Sequence, residues 1–222
     1  MLADKVLFLD GEAMVIDKPA GLPVDKPRSG RTSLENHLDS LLFGFKRWPV
    51  AVHRLDQDTS GCLLLSRNPK AHARLQQAFE QHLVEKRYIA VLEGVVEGEE
   101  GVIDLPLAKV STRETGWRMT GSSEGKSART AWKVLRVQDG RTLIEFRPET
   151  GRTHQIRVHA FEGLGAAVVG DPVYGKDDPV GMLLHAAELR VPREGKEPIE
   201  AKAPLPERFA TAGFGDALDP QG

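Results

Sequence analysis

Two Asp-Gly dipeptides constrain this chain more than anything else in it. Asp10-Gly11 separates Val6-Leu7-Phe8-Leu9 from Ala13-Met14-Val15-Ile16, and Asp139-Gly140 separates the runs 127–137 and 142–148. An Asp-Gly pair tolerates the positive φ angles of a tight antiparallel turn, so the apolar runs on either side read as hairpin strands. Further short strands are predicted at 61–66, 87–93, 102–108, 183–191 and 198–203. Helix signals are fewer. Thr32 with Glu35 is a candidate capping box for a helix to about Phe43. Asn68 caps a helix with Pro69 in its first position and Ala71, Leu75, Ala78, Phe79 and Leu83 along its apolar face. A short helix is expected near 153–162, ended by Gly163. Strands outnumber helices, and strand–helix alternation is not sustained. The fold class is therefore α+β, a mixed and mostly antiparallel sheet with a few flanking helices, and a doubly wound nucleotide-binding fold is disfavoured.

The chain has 222 residues, 40% of them hydrophobic. That is enough for one globular domain, with room for two lobes, over residues 1–210. A flexible Gly-, Ala- and Asp-rich tail is expected over 211–222. No apolar run is long enough to span a membrane, and the first residues lack the layout of a signal peptide. One cysteine fits a reducing cytoplasm, and Cys62, flanked by Gly61 and Leu63, reads as core. The formal net charge of -2 argues mildly against indiscriminate nucleic-acid binding. Local charge is uneven. Segment 105–134 carries Lys109, Arg113, Arg118, Lys126, Arg129 and Lys133 against Glu114 and Glu124, whereas 93–104 carries acids and no base. From charge alone, both read as solvated faces.

Two polar stretches carry chemistry. His53-Arg54-Leu55-Asp56-Gln57-Asp58-Thr59-Ser60-Gly61 lies just before a buried strand, where a carboxylate can be held rigidly and still face a cleft. Gly151-Arg152-Thr153-His154-Gln155-Ile156-Arg157-Val158-His159 places two arginines at the start of a predicted helix. Guanidinium groups there grip carboxylate or phosphate through paired hydrogen bonds. Other chemistries fit poorly. His154 and His159 are five apart, which splays them around a helix, so no metal site is expected. Gly121-Ser122-Ser123-Glu124-Gly125-Lys126-Ser127 has its first glycine one residue too close for a phosphate loop. Asp58-Thr59-Ser60-Gly61 has the wrong order for an aspartic protease, and no Gly-x-Ser-x-Gly elbow is present.

The first stretch resembles the signature loop of RluA-type RNA pseudouridine synthases. So, in the same order as in that family, do Asp17-Lys18-Pro19-Ala20-Gly21-Leu22-Pro23-Val24, Glu85-Lys86-Arg87-Tyr88-Ile89-Ala90-Val91-Leu92-Glu93-Gly94, the stretch Gly151 to His159, Gly170-Asp171-Pro172-Val173-Tyr174-Gly175 and Leu183-Leu184-His185-Ala186. The match covers roughly residues 5–205. The resemblance implies the pseudouridine synthase fold with a central cleft, no cofactor, and an RNA partner. That RNA would be a stem-loop of rRNA, tRNA or both, met by a monomer. It leaves no room for the S4-type RNA-binding domain of many relatives.

Position by position, the resemblance makes Asp56 the catalytic aspartate, Tyr88 the aromatic lying against the uracil, and Arg157 the partner of the aspartate. Arg54 becomes the loop arginine that contacts RNA and fills the gap left by the flipped base. Further RNA contacts are expected from Arg152, Lys109, Arg113, Lys126 and Arg129, and Lys18 either reaches a phosphate or is structural. Taken without the resemblance, Tyr88 is an ordinary strand aromatic and Arg157 half of an ion pair. Asp58 reads as loop-shaping, and His53, His154 and His159 as hydrogen-bonded scaffold. Trp117 either stacks on a base or anchors a turn. An aspartate can attack the sugar C1′ or remove a sugar proton to give a glycal, and the glycal route is favoured. Two other classes remain open: a non-catalytic RNA-binding protein on the same scaffold, and a nucleoside or glycoside hydrolase.

Overall fold

In chain order the strands are β1 (Val6–Leu9), β2 (Ala13–Lys18), β3 (Val50–Ala51), β4 (Ser60–Ser66), β5 (Glu85–Glu93), β6 (Glu100–Asp104), β7 (Leu107–Thr112), β8 (Gly116–Gly121), β9 (Arg129–Gln138), β10 (Arg141–Pro148), β11 (Leu184–Arg193) and β12 (Lys196–Lys202). The α-helices are α1 (Pro69–Glu80), α2 (Gln155–Val158) and α3 (Glu207–Thr211). The structure is a computed structural model and describes residues 1–27, 30–113 and 116–215. It divides into two units. The first comprises Met1–Lys86 and Ala186–Pro204, the second Arg87–His185 and the chain from Leu205.

In the first unit β2 lies antiparallel between β1 and β4, with Ile16 opposite Leu63 and Lys18 opposite Gly61. β11 continues the sheet beyond β4, and β12 pairs antiparallel with β11. Every residue of β4 is buried. Val15, Cys62, Leu64, Leu75, Leu189, Val191 and Ile199 form one apolar cluster, closed by α1. Asn68 caps α1 as expected, its Oδ1 accepting the Ala71 N–H at 2.8 Å with Pro69 next in line. Leu83 does not join the apolar face. The helix ends at Glu80 and His82 turns the chain at φ +57°, so Leu83 is exposed and Val84 fills the core. The first helix also differs from expectation. It is a 3₁₀ helix over Leu34–Leu41, and its cap lies one residue later, with the Ser33 N–H donating to Asn36 Oδ1 at 2.9 Å.

In the second unit β10 lies antiparallel between β5 and β9, and β9 pairs with β6. Asp139 (φ +52°) and Gly140 (φ +73°) make the turn between β9 and β10, as an Asp-Gly pair should. The strand expected over 102–108 is broken in two, because Pro106 has no N–H for a ladder: β6 ends at Asp104, and β7 starts at Leu107 and pairs with β8. Leu92, Ile144, Phe146, Ile156, Ala160 and Val168 form this unit's core. The expected 153–162 helix is present as α2 running into a π-helical turn, His159–Gly163. Past Thr211 the chain remains packed: the Phe214 N–H bonds the Phe209 carbonyl, and both rings are buried. The rest of the expected tail, 216–222, lies outside the described residues.

Candidate active site

The loop bearing Asp56 is the entry to β4, and its shape is over-determined. Leu55, Thr59 and Ser60 are buried while Asp56 is only half-buried, and the Thr59 N–H closes a turn onto the Asp56 carbonyl at 3.2 Å. Lys18, at the end of β2, is fully buried. Its ammonium donates to the carbonyls of Pro19, Leu22 and Gln57, each at 2.9 Å. The Gly21 N–H adds a second bond to the Gln57 carbonyl, also at 2.9 Å. Lys18 therefore staples the Pro19–Leu22 loop to the residue beside Asp56. This corrects its assignment to RNA contact, since a buried ammonium already spending its donors on three carbonyls cannot serve a phosphate. Gly61 at the first turn of β4 has φ +107°, and a Cβ there would sit 2.2 Å from the Ala186 carbonyl oxygen, so only glycine fits.

His53 flanks the same loop as scaffold. Its Nε2 accepts the Leu64 N–H at 3.0 Å and its ring stacks on Phe79 at 4.8 Å. Burial, with a contribution from the Lys86 ammonium, pushes its pKa down to about 4, which keeps the imidazole neutral. Burial likewise pulls Lys86 down to about 8. Arg54 is exposed and pairs with Asp25 at 2.9 Å. Such a surface pair contributes at most about 1 kcal/mol, so it holds the guanidinium only weakly.

In the second unit Tyr88 is a half-buried residue of β5, opposite Phe146 of β10, with its ring against the core. Arg157 is buried in α2. The acid that grips it in this unit is Asp171, which lies in the Gly170–Gly175 motif but is given no role by the sequence: Nε meets Oδ2 at 2.7 Å and Nη2 meets Oδ1 at 2.6 Å. Asp171 also accepts the N–H groups of Val173 (2.8 Å) and Tyr174 (3.1 Å). Burial raises the Asp171 pKa, but the Arg157 bonds and charge, with the two N–H groups, outweigh this and hold it below the ordinary value. The Arg157 guanidinium also lies over the Tyr174 ring, 5.2 Å from its centre.

Tyr174 leads outward to the β7–β8 hairpin. Its hydroxyl accepts the Met119 N–H at 3.0 Å and contacts His154 Nδ1 at 3.0 Å. His154, at φ +53°, stacks on the half-exposed Trp117, whose ring lies under the Lys109 ammonium at 5.2 Å. Glu162 adds a second tie, accepting from Thr120 Oγ1 and the Gly121 N–H, both at 2.8 Å. His159 is scaffold as expected, between Thr130 Oγ1 (2.8 Å) and the Leu105 carbonyl (3.0 Å).

The expected RNA-contacting residues of this unit divide. Lys109, Arg113 and Lys126 are exposed on or beside the β7–β8 hairpin. Arg152 is half-buried and spends Nε on the Ser127 carbonyl at 2.9 Å. Arg129 is exposed but faces two acids: its Nε bonds Glu149 at 3.1 Å and its Nη1 lies 3.8 Å from Asp104. The separate acidic and basic segments of the sequence are in part cross-strand neighbours, with Asp104 opposite Arg129 and Glu100 opposite Lys133.

Comparison with known proteins agrees with these motifs. Residues 12–161 match the family model described as RNA pseudouridylate synthase. An uncharacterized RNA pseudouridine synthase of Zymomonas mobilis is 59% identical over 96% of this chain and 99% of its own length. Ribosomal large subunit pseudouridine synthase D of Nitrosomonas europaea is 38% identical over 86% of this chain and 55% of its own length. Among solved structures, human RNA pseudouridylate synthase domain containing 4 superposes with a TM-score of 0.78 at 26% identity, covering 94% of this chain and 91% of its own. The chain belongs to the RNA pseudouridylate synthase family, in its RluA-type branch, and is an enzyme that isomerises uridine in RNA.

Proposed function

We propose that this enzyme converts specific uridines of ribosomal or transfer RNA stem-loops to pseudouridine, with Asp56 as the catalytic carboxylate. The observation that carries the assignment of Asp56 is local. It is a half-buried carboxylate in a loop pinned by Lys18 and by the turn at Thr59, within the motif by which the chain resembles its family. The name of the Nitrosomonas relative, a ribosomal large subunit enzyme, supports ribosomal RNA as one substrate.

The reaction breaks the N1–C1′ bond, turns the uracil and joins C5 to C1′. The C5 proton leaves to solvent and N1 gains a proton, so no external donor enters. Asp56 initiates the cleavage at the sugar. Tyr88 presents an aromatic face to the uracil, and Arg157, oriented by Asp171, supplies positive charge to the reaction. The target nucleotide flips out of its stack, which costs a few kcal/mol and is easiest in a loop. Arg54, Arg152, Lys109, Arg113 and Lys126 hold phosphates, which fixes position without reading sequence.

The test is tritium release from C5-labelled uridine in bulk ribosomal and transfer RNA transcripts. Release by the wild type, lost in Asp56→Ala with RNA binding retained, is expected. Free uracil as the product would instead make the chain a hydrolase, and RNA binding with no release from any substrate would make it a non-catalytic RNA-binding protein.

A further inference from the structure

The first unit carries a second surface suited to RNA, away from the Asp56 loop. Between the 3₁₀ helix and β3, the run Phe43-Gly44-Phe45-Lys46-Arg47-Trp48 is exposed at every residue. Its three aromatic side chains remain 44%, 40% and 57% exposed for Phe43, Phe45 and Trp48. Rings that stay in water on a single loop need a reason, and the backbone holds them there. Phe43 sits at φ +45°, a left-handed conformation that bulky side chains adopt rarely and at a cost of about 1–3 kcal/mol.

The rings are braced from beneath. Arg67 donates to the Leu42 carbonyl at 2.6 Å and lays its guanidinium 3.6 Å from the centre of the Phe45 ring. Trp48 Nε1 donates to Asp39 at 2.9 Å, which fixes the indole and occupies that acid. Within residues 43–50 the charge is of one sign. Lys46 and Arg47 stand among the rings with no acid in 43–50. The buried Arg67 adds a third cation, whose Nη1 has no hydrogen-bond partner among the described residues.

We propose that this loop is a stacking platform for unpaired bases of the substrate RNA, an inference that rests on the function proposed above. Exposed aromatic faces interleaved with cations suit bases joined by phosphates, whereas two copies of so basic a loop would repel each other. β3 pairs with the far end of β4, Val50 opposite Ser66, while the Asp56 loop enters β4 at Ser60. The platform is therefore roughly 20 Å from that loop, the length of the strand at ~3.3 Å per residue. It holds nucleotides that flank the target and leaves the reacting uridine alone.

The experiment measures fluorescence anisotropy of a fluorescein-labelled, twelve-nucleotide oligouridylate, beside single-turnover tritium release at saturating enzyme. Trp48→Ala and Phe43→Ala each weaken binding roughly 5- to 150-fold, the range for loss of one stacked base. Trp48→Phe keeps the stack and stays near wild type, and saturated single-turnover release is unchanged in all three. Wild-type affinity in both alanine variants would overturn the proposal. So would a Trp48→Phe variant as weak as Trp48→Ala, because the Asp39 bond rather than the ring face would then matter. A wild-type dimer that Trp48→Ala dissociates would assign the loop to a second copy of the chain and overturn it too. If the wild type releases no tritium at all, the proposed reaction fails while the binding comparison still judges the platform.

Discussion

Removing the Asp171 carboxylate takes from Arg157 an acceptor for two of its nitrogens, inside a site where the pair is 6% and 0% exposed. Loss of one partner of such a buried pair destabilises by about 3–5 kcal/mol. An independent count agrees, since two charge-assisted hydrogen bonds at ~1.5–3 kcal/mol each give a similar sum. Asp171→Ala also frees the Val173 and Tyr174 N–H groups, so the upper end is expected. In urea, with a slope of roughly 2–3 kcal/mol per molar, the unfolding midpoint should fall by about 1–2 M. Tritium release should fall with it, because Arg157 loses the carboxylate that holds its Nε and Nη2. The pH dependence has a definite sign. Asp171 titrates lower in the folded than in the unfolded chain, so its contribution is complete above the unfolded value near ~4 and is lost as pH falls through the lower folded value. The stability gap between wild type and Asp171→Asn should therefore stay constant from neutral pH to about 5 and close in stronger acid. A destabilisation below ~1 kcal/mol for Asp171→Ala, typical of an exposed pair, would refute the reasoning.

Lys18→Met removes the donor from three carbonyls and should cost about 3 kcal/mol or more. Tritium release should drop while oligouridylate affinity holds, whereas a phosphate-binding lysine would lose affinity first. Lys109→Gln with Lys126→Gln should flatten the logarithmic salt dependence of RNA binding by about 0.7–0.9 for each phosphate left unneutralised, and Arg129→Gln should leave it alone. A salt slope that responds to Arg129 and not to the hairpin lysines would reverse the assignment drawn from the Glu149 and Asp104 pairings.

Features fixed by neighbours in sequence are legible from the residues alone. Asn68 and Pro69 start α1, and Asp139-Gly140 turns β9 into β10, because each depends on only three or four consecutive residues. The first cap falls one position beyond the expected one, since Thr32/Glu35 and Ser33/Asn36 offer rival pairs at the same spacing. The candidate site is legible where a motif is contiguous, as in the Asp56 loop. It is not legible where function depends on distant partners. Nothing local says that Asp171 meets Arg157, though an aspartate in Gly-Asp-Pro ahead of a turn is a cue to look for its acceptor role. A lysine before Pro19 reads equally well as a phosphate ligand or a staple until its burial is known. Charge counting along the chain finds a basic segment and an acidic one, and cannot see that β6 and β9 bring parts of them side by side. The Phe43–Trp48 loop gives no local signal of its role, because aromatic residues in sequence suggest core until the backbone turns them outward.

The first unit is assembled from two stretches of chain with the whole of Arg87–His185 intervening. Its apolar cluster needs Leu189, Val191, Ile199 and Ala201 from the second stretch. During synthesis the N-terminal segment, Asp56 included, must wait until the chain has left the ribosome as far as Ala201 before its core can close. Folding of that unit is thus governed by contacts of high sequence separation, a slow route that leaves half-built sheet edges exposed to misassociation.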